Sequence, residues 1–273
     1  MKTLYVSDLD GTLLSRDAHV SDFSKVAINQ LVKRGMSFSY ATARSLTSAS
    51  IVSNGIATTT PVIIYNGVFI IDPGTCKILN STMFSGQEAA KAASIFTENQ
   101  IYPLVYAFVD GKECVTWLKG SENAGMLHYM NSRSGDKRFR SVNHVMDLFE
   151  GEIFYLTAIG ERSQLESINE QFSIDQNYRC ILQRELNREE YWFEVMPQQA
   201  SKAEAIVRLK QLLGFDKVIA FGDGLNDLPM FEISDEAYAV DNAVLELKKQ
   251  ATGVIASNDQ DGVARWLLAN FKP

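Results

Sequence analysis

Short apolar runs, each broken off by a polar or glycine-containing turn, alternate along this chain with stretches whose apolar residues recur at helical spacing. Leu4-Tyr5-Val6 is the first run, and it stops at Ser7-Asp8-Leu9-Asp10-Gly11-Thr12. A strand buried on both faces of a parallel sheet reads this way. Residues 21–34 place Val26, Ala27, Leu31 and Val32 at helical spacing, with Gly35 as a ready cap. Strands are predicted over 36–41, 61–65, 68–71 and 77–79, with a helix near 45–53. Asp72-Pro73-Gly74-Thr75 is the turn of a hairpin between the last two strands. The final third repeats the alternation: a strand at 191–196, an amphipathic helix at 201–213 followed by Gly214, and a strand at 218–221. Two short strands at 237–240 and 254–255 have a helix between them, and a last helix covers about 262–271. The pattern predicts an α/β fold, a Rossmann-like parallel-sheet core with helices on both faces.

The middle reads differently. A helix at 85–99 precedes a strand-like run at 102–109, and Asp110-Gly111-Lys112 turns it into 113–117. A strand near 153–158, a helix near 163–171 and a strand near 179–183 follow. These elements predict an inserted α+β cap domain over 83–188, with 1–82 and 189–273 forming the core.

Composition then narrows the function classes. Of 273 residues, 46% are hydrophobic and 22% charged, ordinary for a globular chain. The net charge of -7 argues against nucleic acid or an anionic membrane surface as the main partner. Any anionic ligand must therefore meet a local positive centre. Cys76, Cys114 and Cys180 are scattered, which suits a reducing cytoplasm better than a disulfide framework. No apolar stretch nears the roughly 20 residues of a membrane helix. A monomer or weak homo-oligomer is expected.

The chemistry gathers at strand ends. Asp8 and Asp10 stand two positions apart where the first strand closes, and Gly222-Asp223-Gly224-Leu225-Asn226-Asp227 closes another. Ligands of open α/β sheets bind at the carboxyl ends of strands. Either cluster alone is more often only a turn. Together they suggest four carboxylates converging on a hard cation, since like charges so placed would otherwise raise one another's pKa. Ser201-Lys202-Ala203-Glu204 fits a capping box, which sets Lys202 in a first helical turn. A cation is mildly disfavoured there unless an anion sits nearby; taken alone, a solvated surface lysine is the simpler reading. Thr42 closes the second strand, where its hydroxyl can cap a helix or meet a phosphate. Asn66-Gly67 closes the third.

These residues resemble the four ordered motifs of the haloacid dehalogenase-like hydrolases: Asp8-Leu9-Asp10-Gly11-Thr12, Thr42, Ser201-Lys202 and Gly222 to Asp227. Tyr65-Asn66-Gly67, Asp241-Asn242-Ala243 and Asn258-Asp259-Gln260-Asp261-Gly262-Val263-Ala264 are similar to the Cof-type sugar-phosphatase branch. The resemblance implies a magnesium-dependent phosphatase acting on small phosphorylated metabolites, sugar phosphates among them, through an aspartyl-phosphate. It implies Asp8 as nucleophile and Asp10 as general acid, then general base. It implies Asp8, Asp223 and the Asp10 carbonyl as holders of Mg2+, with Asp227 a further ligand or an anchor behind them. Thr42, Ala43 and Lys202 would bind the phosphoryl group, and Asn66, Gly67 and Asn226 would orient substrate. Asp10 has to hold a proton, so a buried position among carboxylates is expected. Ala43 stands where the family usually has glycine, which leaves a close backbone approach there open. In the middle segment, 188–192 and the basic stretch 133–140 are candidate contacts, better read as a linker strand and a solvated face. Alternatives are a phosphomutase on the same fold and a non-catalytic ligand-binding regulator; loss of Asp8 or Asp10 would favour the latter. A dinucleotide enzyme is set aside, because no G-x-G-x-x-G follows the first strand.

Overall fold

A computed structural model describes residues 1–184 and 189–273. The chain divides into two compact units, Met1–Ser81 with Ser201–Pro273, and Thr82–Ala200. In chain order the first unit opens with β1 (Thr3–Ser7), α1 (Asp22–Lys33), β2 (Ser37–Tyr40), α2 (Leu46–Val52), β3 (Val62–Ile64), β4 (Phe69–Ile71) and β5 (Ile78–Ser81). The second unit contributes α3 (Gly86–Glu98), β6 (Leu104–Val109), β7 (Lys112–Leu118), α4 (Ala124–Asn131), β8 (Phe139–Val142) and α5 (Val145–Leu148). It continues with β9 (Glu152–Gly160), α6 (Arg162–Ser173), β10 (Tyr178–Arg184) and β11 (Tyr191–Pro197). The chain then returns through α7 (Lys202–Leu213), β12 (Lys217–Gly222), α8 (Leu228–Glu232), β13 (Glu236–Val240), α9 (Leu245–Gln250), β14 (Gly253–Ile255) and α10 (Gly262–Asn270).

The first unit is the expected α/β core. Its five-stranded sheet runs β14-β13-β12-β1-β2, every neighbour parallel. Central β1 buries Leu4, Tyr5, Val6 and Ser7, as a strand covered by helices on both faces must. Ser7 lies in register with Phe221 on one side and Tyr40 on the other, so three strands end at one level. The chain departs from β1 toward β2 on one side while β12, β13 and β14 extend to the other. This reversal of strand order is where open α/β sheets form a ligand crevice. An antiparallel sheet β3-β4-β5 is joined to β2 by a bridge between Ala41 and Ile63. Its predicted hairpin turn forms, with the Asp72 carboxylate accepting from the amides of Gly74 and Thr75.

The second unit has a mainly antiparallel six-stranded sheet, β10-β11-β9-β6-β7-β8, in which β7 and β8 pair in parallel. Helix α3 starts with a reciprocal cap, the Ser85 side chain to the Glu88 amide and the Glu88 side chain to the Ser85 amide. Phe96, Phe172 and Phe193 pack against one another under α3 and α6, with the Phe96 and Phe172 ring centres 5.3 Å apart. Two expectations change here. The strand over 191–196 forms, but it pairs with β9 and β10 in this sheet and not in the core. Its neighbours decide this: Phe193 and Val195 join the buried cluster of the second unit. The basic stretch 133–140 is only partly a solvated face, with Lys137 exposed but two arginines paired. Arg138 is half-buried between Glu113 and Asp136, and Arg140 on β8 pairs with Glu150. Arg188 lies outside the described residues, while Trp192 packs its ring on Tyr129 at 5.3 Å.

Candidate active site

The Asp8 amide donates to the Phe221 carbonyl, which continues the β1–β12 ladder by one residue and sets Asp8 beside the start of the second acidic turn. Beyond Asp8 the backbone turns sharply: Asp10 has φ -72° and ψ 123°, Gly11 has φ 75° and ψ -6°. These are the angles of a type II turn, whose third residue needs positive φ and so favours glycine. Space makes the same demand, since a Cβ on Gly11 would lie 2.2 Å from Asp223 Oδ2. Thr12 Oγ1 donates to Asp223 Oδ1 at 2.8 Å, locking the two turns together.

Lys202 stands at the centre. Its Nζ donates to Asp8 Oδ1 at 2.5 Å and to Asp227 Oδ1 at 2.7 Å. Its side chain is only 2% exposed, so it is not a surface lysine. Ser201 caps α7, accepting from the Glu204 amide, which is the serine half of the expected capping box, and this fixes the Lys202 backbone at the helix start. The Asp227 carboxylate is fully buried, its other oxygen accepting from the amides of Asp223 and Gly224. Carboxylate oxygens of Asp8, Asp223 and Asp227 come within 4.8 Å of one another.

Electrostatics follow from that crowding. Burial, and then the neighbouring carboxylates, push Asp8 well above the usual carboxylate range although Lys202 pulls it down. Burial and Asp227 push Asp223 up to about 7. Burial alone would lower Lys202, but Asp227 and Asp8 more than offset it and hold its ammonium charged. With all three ionised, these carboxylates against one ammonium would leave an excess of two negative charges in a desolvated space. An all-oxygen donor set with that excess fits a hard divalent cation.

Asp10 is a correction. Its carboxylate is not part of the acidic group and is 43% exposed. It turns instead to Arg44, whose Nε and Nη2 donate to its two oxygens at 2.8 and 2.6 Å. A planar guanidinium fork meets a carboxylate better than a crowd of like charges does. Three carboxylates therefore converge, not four. Arg44 is itself steadied by Nη1 donating to Ser48 Oγ at 2.9 Å.

Thr42 is buried between β2 and β3, its amide bonded to the Ile63 carbonyl and its own carbonyl accepting from the Asn66 amide. Its Oγ1 accepts from the Arg44 amide at 3.2 Å. Tyr65, Asn66 and Gly67 take positive φ in succession, a strained run of the kind held at functional sites. Gly67 is obligatory, because a Cβ there would lie 2.1 Å from the Ser201 carbonyl oxygen. That close approach seats Asn66 and Gly67 against the start of α7, beside Lys202. Ala43 is half-buried and is not among the positive-φ residues, so the glycine usual in the family is not needed for backbone conformation. Asn226 shares the second acidic turn, with its side-chain oxygen lying over Gly224. Thr12 and Arg44 were not singled out from sequence as partners of Asp223 and Asp10. Thr12 sits inside the first quoted motif and Arg44 two residues beyond Thr42, and their roles depend on contacts 211 and 34 residues away.

A model of the haloacid dehalogenase-like hydrolases matches residues 5–267, nearly the whole chain. The chain belongs to the haloacid dehalogenase-like hydrolases. Its enzymatic class is that of a phosphatase, the activity named in its curated relatives. It is similar to the 5-amino-6-(5-phospho-D-ribitylamino)uracil phosphatase YwtE of Bacillus subtilis, 27% identical over 281 residues and 95% of each chain. The putative phosphatase YkrA of the same organism is 29% identical over 265 residues, 94% of this chain and 93% of that one. A solved haloacid dehalogenase-like hydrolase from Bacteroides thetaiotaomicron shares the fold at a TM-score of 0.81, with 20% identity over 99% of this chain and 100% of that one. The subclass IIB sugar phosphatase BT4131 does so at 0.73, with 18% identity and 98% of both chains. Among the described residues, no helix is long and apolar enough to cross a membrane.

Proposed function

We propose that this chain is a magnesium-dependent phosphatase that hydrolyses a small phosphorylated metabolite through an aspartyl-phosphate on Asp8. The observation carrying this is the Lys202 ammonium held between Asp8 and Asp227 in a buried group of three carboxylates. Asp8 is the nucleophile: the Lys202 ammonium and a bound cation favour its ionised form against the burial that raises it, and the carboxylate splits one hard displacement into two easier ones. Asp8, Asp223 and the Asp10 carbonyl hold Mg2+. Asp227, with both oxygens engaged, anchors Lys202 and the 223–224 amides. When bound, Mg2+ neutralises charge on the phosphoryl oxygens and lets the anion approach Asp8.

Lys202 and the Thr42 hydroxyl receive phosphoryl oxygens, with the Ala43 backbone beside them. Asp10 gives its proton to the leaving oxygen as the P–O bond breaks. In the second half it takes a proton from water, which attacks phosphorus and releases Asp8. The Arg44 fork holds the Asp10 carboxyl in place for both halves. Asn66, Gly67 and Asn226 line the approach for the organic part of the substrate. A phosphate ester on a polyol or sugar is the substrate class, shared by the names of YwtE and BT4131. The second unit is the inserted cap domain of this reading, and the cytoplasm is where such substrates occur.

The test is phosphate release from a panel of sugar, polyol and nucleotide phosphates, with and without Mg2+, for wild type and Asp8→Asn. Asp8→Asn should fold and lose turnover by about 10³-fold or more. Near-normal turnover in that variant would remove Asp8 as nucleophile.

A further inference from the structure

The loop 241–244, between β13 and α9, has no part in the chemistry above, yet it grips both acidic turns. The Val244 amide donates to the Asp223 carbonyl at 2.9 Å. Asn242 Nδ2 donates to the Gly11 carbonyl at 2.7 Å, across 231 residues of sequence. Asn242 Oδ1 accepts from the Asn258 amide at 3.0 Å. The partners fix which way the side-chain amide points, for a carbonyl can only accept and a backbone amide can only donate.

Gly11 is the sensitive point of the site. The type II turn Asp10-Gly11 differs from a type I turn by a flip of the peptide between those residues, and that peptide carries the Asp10 carbonyl. Gly11 also forms the wall on which the Asp223 carboxylate rests. A hydrogen bond to the Gly11 carbonyl therefore acts on two of the groups assigned to the cation: the direction of one carbonyl and the seat of one carboxylate. We infer that Asn242 is a positioning residue for the metal site, a brace that holds the Asp10-Gly11 turn in its cation-binding form. The inference rests on the reading of Asp8, Asp223 and the Asp10 carbonyl as the Mg2+ site.

Partners behind ligands commonly set metal affinity by about 10–100-fold. Calorimetric titration of the full chain with MgCl2, alongside phosphate release against Mg2+ concentration, tests the role. Asn242→Asp keeps the acceptor for the Asn258 amide and removes the donor to Gly11. Its extra negative charge would by itself tighten Mg2+, so a loss of affinity reports the missing donor. Asn242→Ala removes both bonds. Both variants should weaken Mg2+ about 10-fold or more, with turnover recovering at saturating Mg2+. Arg16→Ala is the control. It breaks a surface pair to Asp259, another tie between these segments, and touches neither acidic turn; its affinity should match wild type.

Unchanged Mg2+ affinity in Asn242→Asp would overturn the inference and leave the phosphatase reading intact. Turnover that stays low at saturating Mg2+, with wild-type affinity, would overturn it too. A wild-type chain that binds no Mg2+ would instead remove the metal site on which it rests. Should Asn242→Ala fail to fold, Asn242→Asp carries the test alone.

Discussion

Both units of this chain bury an apolar core, but the first also buries a cluster of charges. In the first, the buried Asp8, Lys202 and Asp227 meet at one point, with Thr12 and half-buried Asp223 closing the cluster. In the second, the centre is a run of touching rings, Phe96, Phe172, Phe193 and Tyr178. Rings stabilise by area removed from water and tolerate many sequences. Buried charges cost several kcal/mol each unless partnered, so they persist where chemistry needs them. The difference teaches where specificity of sequence lies: strict in the acidic turns, loose in the second unit.

Replacing Lys202 should break the contrast most sharply. Lys202→Met keeps length and removes the charge, leaving two buried carboxylates without their shared partner. Turnover should fall on the order of 10³-fold, and metal-free stability by about 3–5 kcal/mol, read by phosphate release and denaturant unfolding. A small change in both would mean that the cluster carries neither chemistry nor strain. In the ring core, Phe172→Ala should also cost about 3–5 kcal/mol of stability. Calorimetric Mg2+ affinity should nevertheless stay at the wild-type value, because the ligands belong to the other unit.

A smaller effect is expected at Arg44. Arg44→Ala frees Asp10 from its fork and should lower turnover about 10²-fold. With p-nitrophenyl phosphate, whose leaving group needs little proton donation, a burst of nitrophenol equal to the enzyme should precede slow turnover. The smallest effect is a pH dependence. The Asp223 carboxyl sits at about 7 in the fold, above the ordinary 3.8. Its contribution to metal-free stability is complete below about pH 4 and is lost as pH rises through about 7. Added Mg2+ selects the ionised form. The rise in Tm on adding Mg2+ should therefore be larger near pH 8 than near pH 6, by a few degrees.

How much of this was readable from sequence follows the same division. The core strands and helices carry strong periodicity, and the acidic turns announce themselves because each closes an apolar run. Asp8 and Asp223 could thus be placed together before any coordinates, whereas Lys202, a surface lysine when read alone, joined them only through the family resemblance. Asp10 could not be placed, because its partner Arg44 lies on another strand end and competes with the cluster for its carboxylate. The strand at 191–196 was assigned to the wrong sheet for a related reason: an apolar strand does not state which neighbours it pairs with. In the second unit α4 and α5 were missed, being short and weakly patterned, and no residue there declares a substrate.

The central claim is spatial, that one divalent cation joins acidic turns from opposite ends of the chain. Anomalous diffraction from a crystal of the full chain soaked in Mn2+, a stand-in for Mg2+, tests it directly. The account predicts a single strong peak bounded by the carboxylates of Asp8 and Asp223, and none there in Asp223→Asn. A wild-type crystal whose peaks all lie elsewhere, at a concentration that supports turnover, would contradict it.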